Sequence, residues 1–363
     1  DTFEFGEREP FNANIPWQAE KLRATLEFAR TNAPDWTEAA IRAYFAGCAA
    51  DYVATLTPHR LNKHRQLFAQ VSGTEGTVVE SEPELEGELT RITIAFSNAR
   101  CRTMLERVAQ VLCRGGISIQ RAYLDQVADP PHGSVTILGF VIQTQDGKSV
   151  DTAGAAWKQV EHDLTRVKWV DSESIALANR HAGMTIDEAE LVLALCALAH
   201  QRLVHVDRLL FSPERIVAAA ERNMALVRKV AALFLARFDP AKPLADAAFT
   251  ERAAALRSEI GATQDPDGTA TVLDSMLKGV EATFRTNWYL RHRFGLSLRI
   301  DPSYLRDDRR PELPYGTFFV FGRGFFGFHN RFKEIARGGL RVVKPTSAAR
   351  SEEHTSELQS RQY

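Results

Sequence analysis

The stretch LTRITIAFSNARCRTMLERVAQVLCRGGISIQRAYLDQVADPPHGSVTILGFVIQ, residues Leu89–Gln143, carries the clearest structural signal in the chain. Thr90–Phe96 alternates apolar and polar residues, as a half-buried strand does. Ala99–Cys113 then places Met104, Val108, Val111 and Leu112 at helical spacing, and Gly115-Gly116 breaks it. Two β-rich apolar runs follow, Ile117–Val127 and Ser134–Gln143, separated by the turn signal Asp129-Pro130-Pro131-His132-Gly133. Ala153–Leu164 reads as a second helix. The order β-α-β-β-α predicts a split βαβ sandwich with its helices on one face of an antiparallel sheet.

On the N-terminal side, Asp35 and Glu38 stand at capping-box spacing ahead of a helix over Ala39–Leu56. Thr57-Pro58 supplies a capping hydroxyl and a first-turn proline for another. The polar, acidic segment Gly73–Glu88 reads as a linker. Beyond the sandwich, Thr185 and Glu188 form a capping box before the apolar run Leu191–Val206. Ser212-Pro213 starts one long helix carrying Ile216, Ala220, Val227, Ala231, Phe234 and Phe238 on a face. Asp239-Pro240 ends it. Further helices cover about Phe249–Ile260 and Thr271–Thr286, which makes a packed helical domain. After Asn287 the pattern turns to strands: Leu296–Ile300, then Thr317–Phe321 and Phe325–Phe328 flanking Gly322-Arg323-Gly324 as a hairpin. The fold class expected is α+β.

Composition sets the limits. The 363 residues are 44% hydrophobic and 25% charged, typical of a soluble globular chain of two or three domains. Forty-five basic residues face 46 acidic ones, so nothing points to a nucleic-acid partner. No apolar run has the length of a membrane span. Four scattered cysteines (Cys48, Cys101, Cys113 and Cys196) fit reduced thiols in a cytoplasmic protein and offer no zinc-site spacing.

Several motif matches have bland explanations. Gly322–Gly327 satisfies G-x-G-x-x-G after an apolar strand. A dinucleotide fingerprint needs a helix opening directly after it and an acid about twenty positions on; neither is present, so the glycines serve a tight hairpin. Ser275-Met-Leu-Lys278 fits S-x-x-K without its companion motifs. His200 and His205 do not share a helical face, and packing or surface roles suit them. The phenylalanines from Phe318 to Phe328 alternate as core strands do.

The segment GFHNRFKEIARGGLRVV, Gly327–Val343, holds the most chemistry. Gly338 and Gly339 let a substrate or neighbouring strand approach the backbone. Arg337 offers a rigid, permanently charged fork for a carboxylate, and Arg341 a second cationic contact or an ion pair. The other reading is a Gly-Gly turn with two solvated arginines. Together with TNWYLRHRFGLSLRIDPSYL, Thr286–Leu305, the segment resembles the large NAD-specific glutamate dehydrogenases. The resemblance implies that A-R-G-G-L-R opens the catalytic domain. Arg337, Gly338, Gly339 and Arg341 would then be substrate-binding, with His329 and Asn330 as structural hydrogen-bonding residues nearby.

Residues 89–170 resemble a divergent ACT domain, a small regulatory module that often binds amino acids. The junction Ser97-Asn98-Ala99-Arg100 lacks the usual glycine, which makes an architectural role the better expectation. The layout implied is N-terminal helices at 1–72, a linker at 73–88, the ACT-like domain at 89–170 and a helical domain at 184–290. The first strands of an α/β amino-acid dehydrogenase substrate domain occupy 291–349.

By resemblance the parent enzyme converts L-glutamate, NAD and water to 2-oxoglutarate, ammonia and NADH as a cytoplasmic homo-oligomer. Its catalytic lysine, proton-handling carboxylate and NAD-binding domain are expected downstream of Val343, so no catalytic, cofactor-binding or metal residue is assigned in this chain. The eleven residues RSEEHTSELQS within 350–363 resemble a translated sequencing adapter, and the chain begins with Asp1 rather than Met. The expectation is therefore an inactive fragment. The alternative is a stand-alone ACT-like regulatory or interaction protein on a helical scaffold.

Overall fold

The computed structural model describes residues 8–32, 36–84, 87–263, 268–290, 293–305 and 313–331. It is an α+β protein of two compact units, Asp1–Lys168 and Trp169–Tyr363.

The first unit opens with α1 (Pro16–Asn32), α2 (Glu38–Ala46), α3 (Ala50–Thr55) and α4 (Pro58–Val71). The helix expected over Ala39–Leu56 is thus two. The chain leaves helical geometry after Gly47, where Ala128 N donates to the Gly47 carbonyl at 2.8 Å, so a contact from a distant strand sets the break. The cap is Thr37, whose hydroxyl accepts from Ala40 N, while Glu38 pairs with Arg42; Asp35 lies outside the described residues. Thr57 caps α4 as expected, with Pro58 in the first turn.

The sheet consists of β1 (Thr77–Glu84), β2 (Leu89–Ser97), β3 (Ile117–Asp129) and β4 (Gly133–Thr144), with α5 (Cys101–Arg114) after β2 and α6 (Ala155–Arg166) after β4. Its order is β1-β2-β4-β3, and every neighbouring pair is antiparallel. The β-α-β-β-α order over 90–164 is therefore present, with the hairpin turning at Pro130-Pro131.

The linker expected at 73–88 is in large part an edge strand, β1. Two of its three acidic side chains belong to an ion network. Glu84 accepts from Arg91 on β2 at 2.7 Å and Arg60 on α4 at 2.8 Å, and Glu82 pairs with Lys63. The bond from Arg91, reinforced by Arg60, holds the Glu84 carboxyl down at about 2. Acidic residues that read as solvated in sequence are neutralised by partners that only the fold supplies.

The helices were expected on one face of the sheet, but both faces are covered. In β2 and β4, consecutive residues are buried rather than alternate ones. Ile92, Ile94 and Phe96 stand opposite Phe140, Leu138 and Thr136 on one side. Ala95 and Ile137 point the other way, into a core with Leu22, Ile41, Phe45, Val53, Leu61 and Leu67 of the N-terminal helices. Within that core, the Tyr44 and Tyr52 hydroxyls lie 2.6 Å apart, and the Tyr52 hydroxyl lies 2.8 Å from His64 Nδ1. A proton order of Tyr44 to Tyr52 to a neutral His64 satisfies all three groups. Burial, helped by Arg60 and Arg91, holds His64 down at about 3.

The second unit contains α7 (Ser172–Arg180), α8 (Ile186–Leu203), α9 (Pro213–Arg222), α10 (Met224–Phe238), α11 (Asp246–Gly261) and α12 (Thr269–Ala282). The strands β5 (Thr283–Thr286), β6 (Gly295–Ile300), β7 (Gly316–Gly322) and β8 (Phe325–Arg331) form an antiparallel meander in sequence order. Asp171 caps α7, an element not anticipated, and Thr185 and Ser212 cap α8 and α9 as expected. The single long helix from Ser212 is instead two. Asn223 sits at φ −120° and ψ 34°, outside helical geometry, with its amide turned back to the Ala219 carbonyl. The helix expected through Thr286 ends at Ala282. There the Thr283 hydroxyl donates to Gly279 O at 2.7 Å and the chain leaves as β5 to pair with β6. α8 is buried along most of its length and packs against α7, α9, α12 and the β7–β8 hairpin.

One buried charge ties strands to helices. Arg293, between β5 and β6, is 8% exposed. It donates to Glu190 at 2.6 Å and Asp187 at 3.2 Å on α8, and to the Trp288 carbonyl at 2.7 Å. Its guanidinium also lies 4.1 Å from the centre of the Trp288 ring.

Two measurements check these accounts. His64 titrates near 3 when folded and near 6.5 when unfolded, so the unfolded chain binds the extra proton. Its contribution to stability is therefore complete above the unfolded value and is lost as pH falls towards the folded one. Urea midpoints should show a smaller loss over that window in His64→Gln than in the parent, and parallel curves would contradict the assignment. Arg293→Met leaves Glu190 buried without its partner and should cost about 3–5 kcal/mol. Adding Glu190→Leu should recover much of this, and an undiminished loss in the double variant would show that the pair is not the cause.

Candidate functional site

Arg337, Gly338, Gly339 and Arg341 lie outside the described residues, which stop at Arg331. What is described is the scaffold that leads to them. β7 and β8 pair from Gly316↔Arg331 to Gly322↔Phe325, joined by Arg323-Gly324. Gly324 has φ +79°, the left-handed turn geometry that glycine adopts without a Cβ penalty. A Cβ on Gly322 would meet the Phe325 ring at 2.7 Å, so the turn closes on itself. The G-x-G-x-x-G string is thus a strand–turn–strand, as read from sequence. A dinucleotide pyrophosphate needs a helix N-terminus directly after the glycines, and β8 occupies that place.

Along β7, Thr317, Phe319 and Phe321 face the protein interior, continuous with Leu296, Leu298 and Ile300 of β6. His329 stands opposite Phe318, with ring centres 6.3 Å apart. Asn330, expected to be a structural hydrogen-bonding residue, differs in one respect. Among the described residues its Oδ1 is buried without a hydrogen-bond partner, and so is the hydroxyl of Thr317 directly opposite. Such atoms cost about 1–3 kcal/mol each when unsatisfied. They mark the inner end of β8 as a polar spot in an apolar sheet, immediately before residue 332.

The residues of Thr286–Leu305 act as anchors. The Asn287 side chain spans the loop before β6, donating to Gly295 O at 2.9 Å and accepting from Ser297 N at 2.7 Å. The Tyr304 hydroxyl lies 3.2 Å from Ser275 O and 3.4 Å from Leu198 O, and burial pushes it up to about 12. Tyr289 donates to Leu235 O at 2.9 Å. Together with Arg293 these hold the sheet against α8, α10 and α12. Sequence reading missed the Arg293 cluster. Its acids, Asp187 and Glu190, lie about a hundred residues before it in the chain, so no local pattern links them.

The remaining candidates resolve simply. Lys278 pairs with Asp274 at 2.6 Å, and Ser275 faces Tyr304 instead, so S-x-x-K is incidental. His200 lies beside a small cavity of about 60 Å³, lined mainly by Leu193, Cys196, Ala197, Val217, Phe321 and Phe326. Its Nδ1 is buried and unbonded, and burial lowers its pKa. Burial also pushes the Cys196 thiol up to about 12, which leaves it protonated. Among the described residues, no three His, Cys, Asp or Glu side chains converge as a metal site, and no helix is long and apolar enough to cross a membrane.

Residues 257–357 match the family described as Bacterial NAD-glutamate dehydrogenase, catalytic domain. The chain is similar to the NAD-specific glutamate dehydrogenase of Saccharomyces cerevisiae, 45% identical over 64 residues, covering 17% of this chain and 6% of that protein. It is similar to Glutamate dehydrogenase 2 of Dictyostelium discoideum, 37% identical over 79 residues, covering 22% of this chain and 8% of the other. A Halomonas elongata NAD-specific glutamate dehydrogenase is 29% identical over 151 residues, 39% of this chain and 9% of its own length. In each case the chain spans less than a tenth of its relative. The family match falls on the segment whose sheet and anchors are described above, and over that segment the chain is similar to the NAD-glutamate dehydrogenases.

Proposed function

We propose that this chain contributes the entry to the catalytic region of an NAD-dependent glutamate dehydrogenase acting on L-glutamate, NAD and water. The observation that carries the reading is the family match over residues 257–357, which includes the A-R-G-G-L-R segment. In this reading β5–β8 are the first strands of the substrate domain, and Arg337 meets a substrate carboxylate with a charged fork. Gly338 and Gly339 let the substrate lie against the backbone, and Arg341 adds a second cationic contact. Residues 89–170 form an ACT-like module with an architectural role.

The glycines of Gly322–Gly327 do not fit NAD, because a strand follows them, so no step is assigned to them. The parent's NAD site, catalytic lysine and carboxylate belong to other parts of its sequence. The matched stretches are less than a tenth of each relative described, which supports the view that these 363 residues alone are inactive. A cytoplasmic, homo-oligomeric parent completes the proposal.

A second reading, an ACT-like regulatory protein that binds an amino acid, draws on one observation. Asn98 adopts φ +45°, the left-handed turn expected of the missing glycine. Its side chain is already engaged, accepting from Ser134 N at 3.2 Å.

Assays of the 363-residue protein with glutamate and NAD should give no NADH above the blank; turnover would refute the fragment reading. The substrate role needs a chimera in which residues 257–349 replace the matching stretch of the Saccharomyces relative. Glutamate-dependent activity should survive, and Arg337→Gln should lower kcat/KM by about 10–100-fold, the worth of a charged hydrogen bond. An unaffected Arg337→Gln chimera would remove Arg337 from the substrate site. Saturable stabilisation of the 363-residue protein by an amino acid would instead favour the regulatory reading.

A further inference from the structure

The face of the β5–β8 sheet opposite its buried aliphatic side has an unusual charge pattern. Strand register puts Arg285 of β5 directly opposite Arg299 of β6, Arg299 opposite Phe318 of β7, and Phe318 opposite His329 of β8. Directly opposed residues project to the same side of a sheet, with Cβ atoms about 4.5–5.5 Å apart. Both arginines are exposed. Among the described residues neither makes an ion pair, and the four strands TFRT, GLSLRI, GTFFVFG and FFGFHNR contain no acidic residue.

Some other arginines of the unit do find carboxylates. Arg257 reaches both Asp274 and Glu281, Arg228 pairs with Glu188, and Arg293 with Asp187 and Glu190. Like charges directly opposite each other destabilise a sheet, so an Arg–Arg pair without a counter-charge among the described residues is a cost that those residues do not repay.

We infer that the Arg285–Arg299 pair is a binding site for a phosphate group, held between two guanidinium forks. A phosphate monoester carries about −1.5 to −2 charges and three acceptor oxygens near neutral pH. It can therefore answer both cations at once, whereas a single carboxylate neutralises one. Each guanidinium presents two parallel donors to phosphate oxygens. Phe318, next on the rung, offers a ring face beside the phosphate for a flat group attached to it. The inference does not depend on the proposed enzymatic role.

The test is calorimetry on the 363-residue protein with inorganic phosphate and with AMP, at fixed ionic strength in chloride. Saturable millimolar or tighter binding is expected for both probes, with Arg285→Gln and Arg299→Gln each weakening it about tenfold or more. Urea midpoints of the free variants should equal or exceed that of the parent, since each removes a repulsion; a purely structural arginine would lower them. Tighter binding of AMP than of phosphate, abolished in Phe318→Ala, extends the site to the base; equal binding confines it to the phosphate. Absence of binding by both probes, or binding unchanged in both arginine variants, would overturn the inference.

Discussion

Arg293 carries a full charge into the interior of the second unit, and the arrangement around it follows from that burial. A guanidinium cannot neutralise itself by losing a proton at any ordinary pH, so it must be surrounded by acceptors. Asp187 and Glu190 supply carboxylates from α8, the Trp288 carbonyl supplies a neutral acceptor, and the Trp288 ring covers one side. These partners sit on elements about a hundred residues apart in the chain. The cluster therefore fixes the position of the β5–β6 loop on α8 with a specificity that apolar packing alone lacks. Asn287, Tyr289 and Tyr304 reinforce the same placement through backbone carbonyls and amides.

In the sequence, β8 is followed by the segment proposed to meet substrate, which gives that placement its interest. A site that binds a small dicarboxylate needs its strands held to a fraction of an ångström. Asn287, Tyr289, Arg293 and Tyr304, within 286–305, contribute this positioning through hydrogen bonds. The polar pair Thr317 and Asn330 at the inner end of β8 stands apart from them. Both atoms are buried and unsatisfied while their neighbours are aliphatic or aromatic.

The first unit solves a different problem. Its two central strands are buried on both faces, so they need helices from both sides, and the N-terminal helices supply the second layer. The polar chain Tyr44–Tyr52–His64 lies inside that layer, each member satisfied by the next. Asn98 and Gly133 close the end of the sheet near α5. Gly133 has φ +108°, a conformation strained for any other residue, and a Cβ there would stand 2.2 Å from Asn98 Oδ1 and displace that amide.

Sequence periodicity alone determined the element types across Thr90–Leu164, the caps at Thr57, Thr185 and Ser212, and the β7–β8 hairpin. These are local matters of backbone sterics, capping chemistry and apolar spacing, and they act within a few residues. It also carried the resemblance to the NAD-glutamate dehydrogenases, because the 286–305 and 327–343 segments are specific in residue type. What tertiary structure decided was everything that depends on a distant partner. Glu82 and Glu84 read as linker residues until Arg60, Lys63 and Arg91 are beside them. The break after Gly47 needs Ala128, a residue of β3. Ile94 and Ala95 are both apolar, and only the folded sheet shows that each faces a different helical layer. Nothing in the sequence marks Arg293, because the carboxylates that hold it are contributed by α8. Arg285 and Arg299 meet only through strand register, which no linear pattern of the sequence records.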